Sequence, residues 1–151
     1  MKKLLVYSLL VLCVFLTVYG EWRSFYCLEN GKCVTVWKTF YKACYIIPGK
    51  YYGLLRPSDN YLKCATYNNL SLYFSDDIPN SIVYKSFGNI DVQNVDLEEV
   101  IFYDYESNEV KFDSIFYIPG AKNYDDVKAN AQFIDIRVLE NVATGKNGRI
   151  N

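Results

Sequence analysis

Two hydrophobic patterns divide this chain. After the basic start Met1-Lys2-Lys3, apolar residues run almost unbroken for 16 positions from Leu4 to Tyr19, and Val18-Tyr19-Gly20 offers a small-residue cleavage point before Glu21. This predicts a removable export signal over 1–20, because a span of roughly 20 apolar residues is what a bilayer-crossing helix needs. After cleavage no second run of that length follows, so no integral span is expected. Cys13 within the run raises a lipid-anchor alternative, weakened by Leu12, where a small residue would be expected before the cysteine.

From residue 22 onward the period changes. Short runs rich in Val, Ile, Tyr, Phe and Thr alternate with turn signals, a pattern of strands rather than helices. Strands are predicted over Trp22–Glu29, Lys32–Tyr41, Cys44–Ile47, Tyr51–Leu55, Tyr61–Tyr67, Leu70–Ser75, Ser81–Ser86, Ile90–Val95, Glu98–Tyr105, Glu109–Ile118 and Gln132–Glu140. The last of these alternates cleanly, with Ile134, Ile136 and Val138 on one face, as in a sheet with one buried side. One short helix is predicted over Tyr124–Ala131, where Asp125 and Asp126 suit a first turn. The expected architecture is one mainly β domain over 21–141, an antiparallel sandwich or barrel-like fold, with a polar tail over 142–151 that frays.

Four cysteines remain after the signal, Cys27, Cys33, Cys44 and Cys64, an even number suited to structural disulfides in an oxidising compartment. Their connectivity turns on Glu29-Asn30-Gly31-Lys32. A two-residue Asn-Gly turn, the favoured reading, puts Cys27 and Cys33 on opposite faces of the hairpin and sends the bonds out to Cys44 and Cys64. A three-residue loop with Gly31 left-handed instead sets Cys27 directly opposite Cys33. The spacing matches no zinc motif and contains no C-x-x-C, so neither a metal nor a redox role is expected.

Composition then narrows the chemistry. Histidine is absent, which excludes the usual Ser-His and Cys-His nucleophile pairs. No phosphate-cradling glycine loop and no nucleophile elbow occur, so no cofactor is expected. Without Lys2 and Lys3 the chain carries 14 basic and 17 acidic side chains, a formal charge of −3 with no basic tract, so nucleic acid is not an expected partner. Residues 21–64 carry a net +4 and residues 65–151 a net −7. Carboxylates are the plentiful catalytic groups, at Asp76, Asp77, Asp104, Glu106, Asp113, Asp125 and Asp126, yet most of them flank turns, where they solvate and cap. The stretch Asp104–Glu109 offers alternating oxygens but lacks the glycine and glutamate of an EF-hand loop.

Aromatic residues make up 17% of the chain and crowd the segment from Trp22 to Tyr52 among lysines and arginines. Rings beside cations stack on sugars or anchor protein partners, while the same rings also furnish a β core. Trp22, Trp37, Tyr41, Tyr51, Tyr52, Lys38 and Lys42 are therefore the candidate binding residues, with no catalytic or metal site assigned. Tyr51 and Tyr52 stand out, because adjacent strand residues point oppositely and one ring is then left outside. The expectation is an exported, non-catalytic binding module of the cell envelope or extracellular space, meeting a protein or envelope glycan. The alternatives are a small carboxylate-dependent glycan hydrolase and a secreted inhibitor or immunity-type protein using the acidic half.

Overall fold

The computed structural model describes residues 2–21, 23–39, 42–53, 55–76, 78, 80–93, 100–116 and 132–150. Helix α1 (Lys2–Glu21) is followed by β1 (Arg23–Cys27), β2 (Cys33–Lys38), β3 (Ala43–Pro48), β4 (Tyr61–Ala65), β5 (Asn69–Phe74), β6 (Ser81–Ser86), β7 (Ile90–Gln93) and β8 (Ile101–Asp104). A 3-10 turn (Glu106–Asn108) then leads into helix α2 (Glu109–Phe116), and β9 (Gln132–Arg137), β10 (Val142–Gly145) and β11 (Gly148–Ile150) complete the order. Among the described residues no helix is long and apolar enough to cross a membrane.

The strands form two sheets, ordered β1-β2-β3-β4-β7 and β11-β10-β9-β5-β6-β8. All pairings are antiparallel except β6 with β8. The sheets face one another in a sandwich-like arrangement, because alternate residues of each strand turn inward. Val34, Val36, Ile46 and Leu62 from one sheet meet Leu70, Leu72, Ile134 and Ile136 from the other in one buried cluster. Ile134, Ile136 and Val138 share that buried face, as the alternation predicts.

Both outer faces are also covered in part. Over the six-stranded sheet lies α2, whose Phe112 and Phe116 pack on Tyr73, Val83 and Tyr105. The sequence pattern predicts a strand over Glu109–Ile118, and the structure corrects it. Val110, Phe112, Ser114 and Phe116 alternate as a strand would, yet Phe112, Ile115 and Phe116 also fall on one helical face. The outward apolar side chains of β5 and β6 need that second arrangement, and Asp104 starts the turn by accepting bonds from the Glu106 amide (3.2 Å) and the Ser107 hydroxyl (2.7 Å). The predicted helix at Tyr124–Ala131 lies outside the described residues.

Two further expectations are corrected. Tyr51–Gly53 is irregular backbone and not a strand, because it belongs to a loop folded back over the five-stranded sheet. The end of the chain does not fray over 142–150: it forms the β10–β11 hairpin. Lys146-Asn147 makes its turn between Gly145 and Gly148, the latter at φ +104, a conformation glycine adopts without strain. Burial of Ala143, packing of Ile150 on the core and an Asn147 to Glu29 side-chain bond of 2.9 Å anchor it.

Candidate functional site

Three of the seven candidate binding residues, Trp37, Tyr51 and Tyr52, sit on or beside the outer face of the five-stranded sheet. Register sets Arg23, Trp37, Tyr45, Lys63 and Asp91 in one row across five strands. Side chains in such a row are direct cross-strand neighbours, so their chemistry is read together. The Arg23 guanidinium lies 3.9 Å above the Trp37 ring, Trp37 and Tyr45 are 6.5 Å apart, and Lys63 pairs with Asp91 at 3.7 Å. In the next row Ile47 faces inward of the same cover, and Tyr61 meets the Tyr45 ring edge-on at 5.3 Å.

A loop from Gly49 to Asn60 closes over these rings. Its anchor is Thr35, fully buried, whose hydroxyl donates to the Gly49 carbonyl (2.7 Å) and accepts the Tyr51 amide (2.8 Å). Gly49, at φ +74, lets the chain double back after β3. Tyr51 then stacks on Trp37 at 6.3 Å, and Arg56 donates to the Tyr45 hydroxyl at 2.9 Å. The consequence is that Trp37, Tyr45 and Tyr61 are buried, while Tyr52 rests on Phe25 at 5.1 Å and stays 70% exposed. Of the seven candidates, Trp22 and Tyr41 lie outside the described residues. Lys42 is exposed and holds a left-handed φ of +59 in the β2–β3 turn.

Lys38 lies on the inward side of β2, half-buried, with its ammonium 3.4 Å from the Leu139 carbonyl. Burial pushes its pKa below the ordinary lysine range, and the neighbouring Cys44 opposes that. It pairs in register with Cys44, which pairs with Cys64.

The cysteines resolve the turn ambiguity. Leu28 N–H donates to the Lys32 carbonyl and Gly31 adopts φ +84, so the loop is Glu29-Asn30-Gly31 and Cys27 faces Cys33. These two are joined, which corrects the favoured reading that each would bond outward. The longer loop wins because left-handed Gly31 ends it with a bulge that restores strand pairing. Cys44 and Cys64 are thiols buried in the core. The hydrogen bond to Cys64, followed by burial, holds the Cys44 thiol well above its ordinary range, which makes it a poor nucleophile. Directly opposed on adjacent strands, they are expected to close as a second disulfide when a small-molecule disulfide takes up their two electrons, the two protons passing to its thiols. Linking the 20-residue separation should add about 3 kcal/mol. Thiol labelling of the denatured, unreduced protein recovered from an oxidising compartment checks this, and two reactive thiols beyond Cys13 would refute it.

The acidic candidates are engaged separately. Asp76 pairs with Lys32 at 3.2 Å in full solvent, Asp104 caps the 3-10 turn, and Asp113 accepts a hydrogen bond from the Tyr105 hydroxyl. Asp77, Asp125 and Asp126 lie outside the described residues. Two concavities of about 380 and 490 Å³ open beside the β1–β2 turn, the first near Lys146 and Arg149, the second near the Lys32–Asp76 pair. Among the described residues no three His, Cys, Asp or Glu side chains converge on a point that could hold a metal. Comparison of the chain with protein-family models, with curated proteins and with solved structures finds no match in any of the three.

Proposed function

We propose that this chain is an exported, non-catalytic interaction module of the cell envelope or extracellular space. The observation that carries this reading is Tyr52: a large ring, 70% exposed, held on Phe25 and carried by the loop that Thr35 and Tyr51 pin to the sheet. A ring presented by a rigid platform loses little entropy on contact and buries a large area, which suits both sugar rings and protein surfaces. The separate engagement of Asp76, Asp104 and Asp113 supports binding over carboxylate-pair hydrolysis, which needs two carboxyls facing one bond.

The experiment is capture from solubilised envelope and spent medium on the exported protein, with Tyr52→Ala alongside and bound proteins and sugars identified by mass spectrometry. The variant should melt with the parent, within about 0.5 kcal/mol, because the ring is mostly in solvent. Its capture of the enriched protein or glycan should fall about tenfold, the effect of losing an anchoring aromatic. Equal capture by parent and variant removes Tyr52 from the contact surface. Turnover of a captured glycan would replace the reading with the hydrolase.

A further inference from the structure

Two Asn-Gly steps meet at one corner of the sandwich, away from the Tyr52 ring. Asn30-Gly31 lies in the β1–β2 turn and Asn147-Gly148 in the β10–β11 turn. Asn147 Nδ2 donates to Glu29 Oε1 at 2.9 Å, a bond that ties the two turns together. Glu29, Asn30, Gly31, Asn147 and Gly148 are all exposed. A Cβ placed on Gly31 or on Gly148 would find no atom beyond the adjacent residues within 4 Å, so the space beside each step is open to water.

An asparagine followed by glycine can hydrolyse its own side chain, because glycine has no Cβ to obstruct ring closure. The glycine backbone nitrogen loses its proton to hydroxide and attacks the asparagine side-chain carbon. A C–N bond forms, closing a succinimide, and the side-chain nitrogen leaves as ammonia after taking a proton from water. A water molecule then opens the ring at either carbonyl, leaving aspartate or isoaspartate. At the two steps this one reaction has different consequences. Asn30 works through its side-chain oxygen, which accepts the Lys32 amide at 3.1 Å, and an aspartate keeps that acceptor. The Cys27–Cys33 bond also holds that turn closed. Asn147 works through its side-chain nitrogen, and an aspartate there has no donor left for Glu29. Two carboxylates would then face each other, screened in part by Lys146 and Arg149 on the hairpin and Lys32 on the facing turn.

We propose that Asn147 is a self-modification site, at which water converts the side-chain amide to a carboxylate and thereby releases the C-terminal hairpin from the β1–β2 turn. The change runs one way, since the ammonia is lost to solvent. Its structural effect falls on β10 and β11, the latter being the edge strand of the six-stranded sheet. The concavity of about 380 Å³ between Leu28, Glu29, Asn147 and Ile150 lies across the broken tie and opens with it. Conversion at Asn30, by contrast, leaves the corner closed.

The test ages the folded protein, recovered from an oxidising compartment, in mildly alkaline and in acidic buffer. Peptide mapping then separates the asparagine, aspartate and isoaspartate forms of each Asn-Gly step. The alkaline sample should gain several-fold more aspartate and isoaspartate at position 147 than the acidic one, because the attacking nitrogen must first lose its proton. Asn147→Gln should stay unconverted there, since glutamine has to close a larger ring. Backbone hydrogen exchange reads the consequence. Amides of residues 144–150 should exchange about fivefold faster in Asn147→Asp than in the parent, the effect of one lost hydrogen bond on local opening, and at the parent's rate in Asn30→Asp. Adding Glu29→Gln to Asn147→Asp supplies the donor from the other side and should restore the parent's exchange. No conversion at 147 under ageing that converts the urea-unfolded chain overturns the proposal. Exchange in Asn147→Asp equal to the parent's does the same, as does a double variant that still exchanges as fast as Asn147→Asp, because the release would then not run through Glu29.

Discussion

Replacing Trp37 by alanine is expected to destabilise the protein by about 3–5 kcal/mol, the cost of deleting a buried large aromatic side chain. The ring points away from the main core, yet it is only 7% exposed, because the Arg23 guanidinium and Tyr51 cover it and Tyr45 flanks it. Its loss removes the floor on which the Gly49–Asn60 loop rests, and Arg23 loses the ring on which its guanidinium stacks. Urea unfolding should show a lower midpoint with little change in slope, and the thermal midpoint should fall by roughly 10 °C for a chain of this size. Tyr52→Ala, made in the same background, should leave both curves in place. If Trp37→Ala kept full stability and lost only partner binding, the buried assignment would be wrong and the ring would belong to the contact surface.

Phe112→Ala should be as damaging, by about 3–5 kcal/mol, because the side chain is fully buried between α2 and the outer face of the six-stranded sheet. The neighbouring positions make the test specific. On a helix Ile115 shares the Phe112 face and is half-buried, while Val110 points out at 89% exposure. Along a strand Val110, Phe112 and Phe116 would share a face and Ile115 would lie opposite. Val110→Ala is therefore expected to change stability by less than about 0.5 kcal/mol, and Ile115→Ala to cost about 1–2 kcal/mol. The reverse order, measured by chemical unfolding, would restore the strand that the sequence pattern predicts.

These two residues also show where sequence reading stops. Alternation located β2, β3, β5, β6 and β9 to within a few residues, because a strand with one face on a core repeats that fact every second position. At 109–116 the same apolar residues satisfy both periods, and only the uncovered side chains on β5 and β6 select the helix. The hairpin over 142–150 has few apolar residues to announce it, and its anchors, the core around Ala143 and Glu29 on a distant turn, become neighbours only after folding. The candidate rings from Trp37 to Tyr52 were visible as a cluster, but their division into buried and exposed depends on a loop held by Thr35. No local pattern reports that loop, since its hydrogen bonds join residues 14 and 16 apart.

The cysteine pattern divides along the same line. An even set of four after an apolar N-terminal run argues for structural pairing by count alone, and the two possible loops at Asn30-Gly31 both follow from local turn chemistry. Their energies are too similar for local preference to choose, whereas the register of β1 on β2 chooses one for the whole hairpin. By itself, then, the sequence determined what each residue could do locally: the mainly β class, most strand positions, the apolar N-terminal segment and the lack of any imidazole chemistry. The tertiary structure alone decided which cysteines face each other, which rings are covered and that residues 109–116 form a helix. The physical reason is that period and turn propensity are properties of neighbours in the chain, while burial and register are settled by surfaces that meet only when the chain has folded.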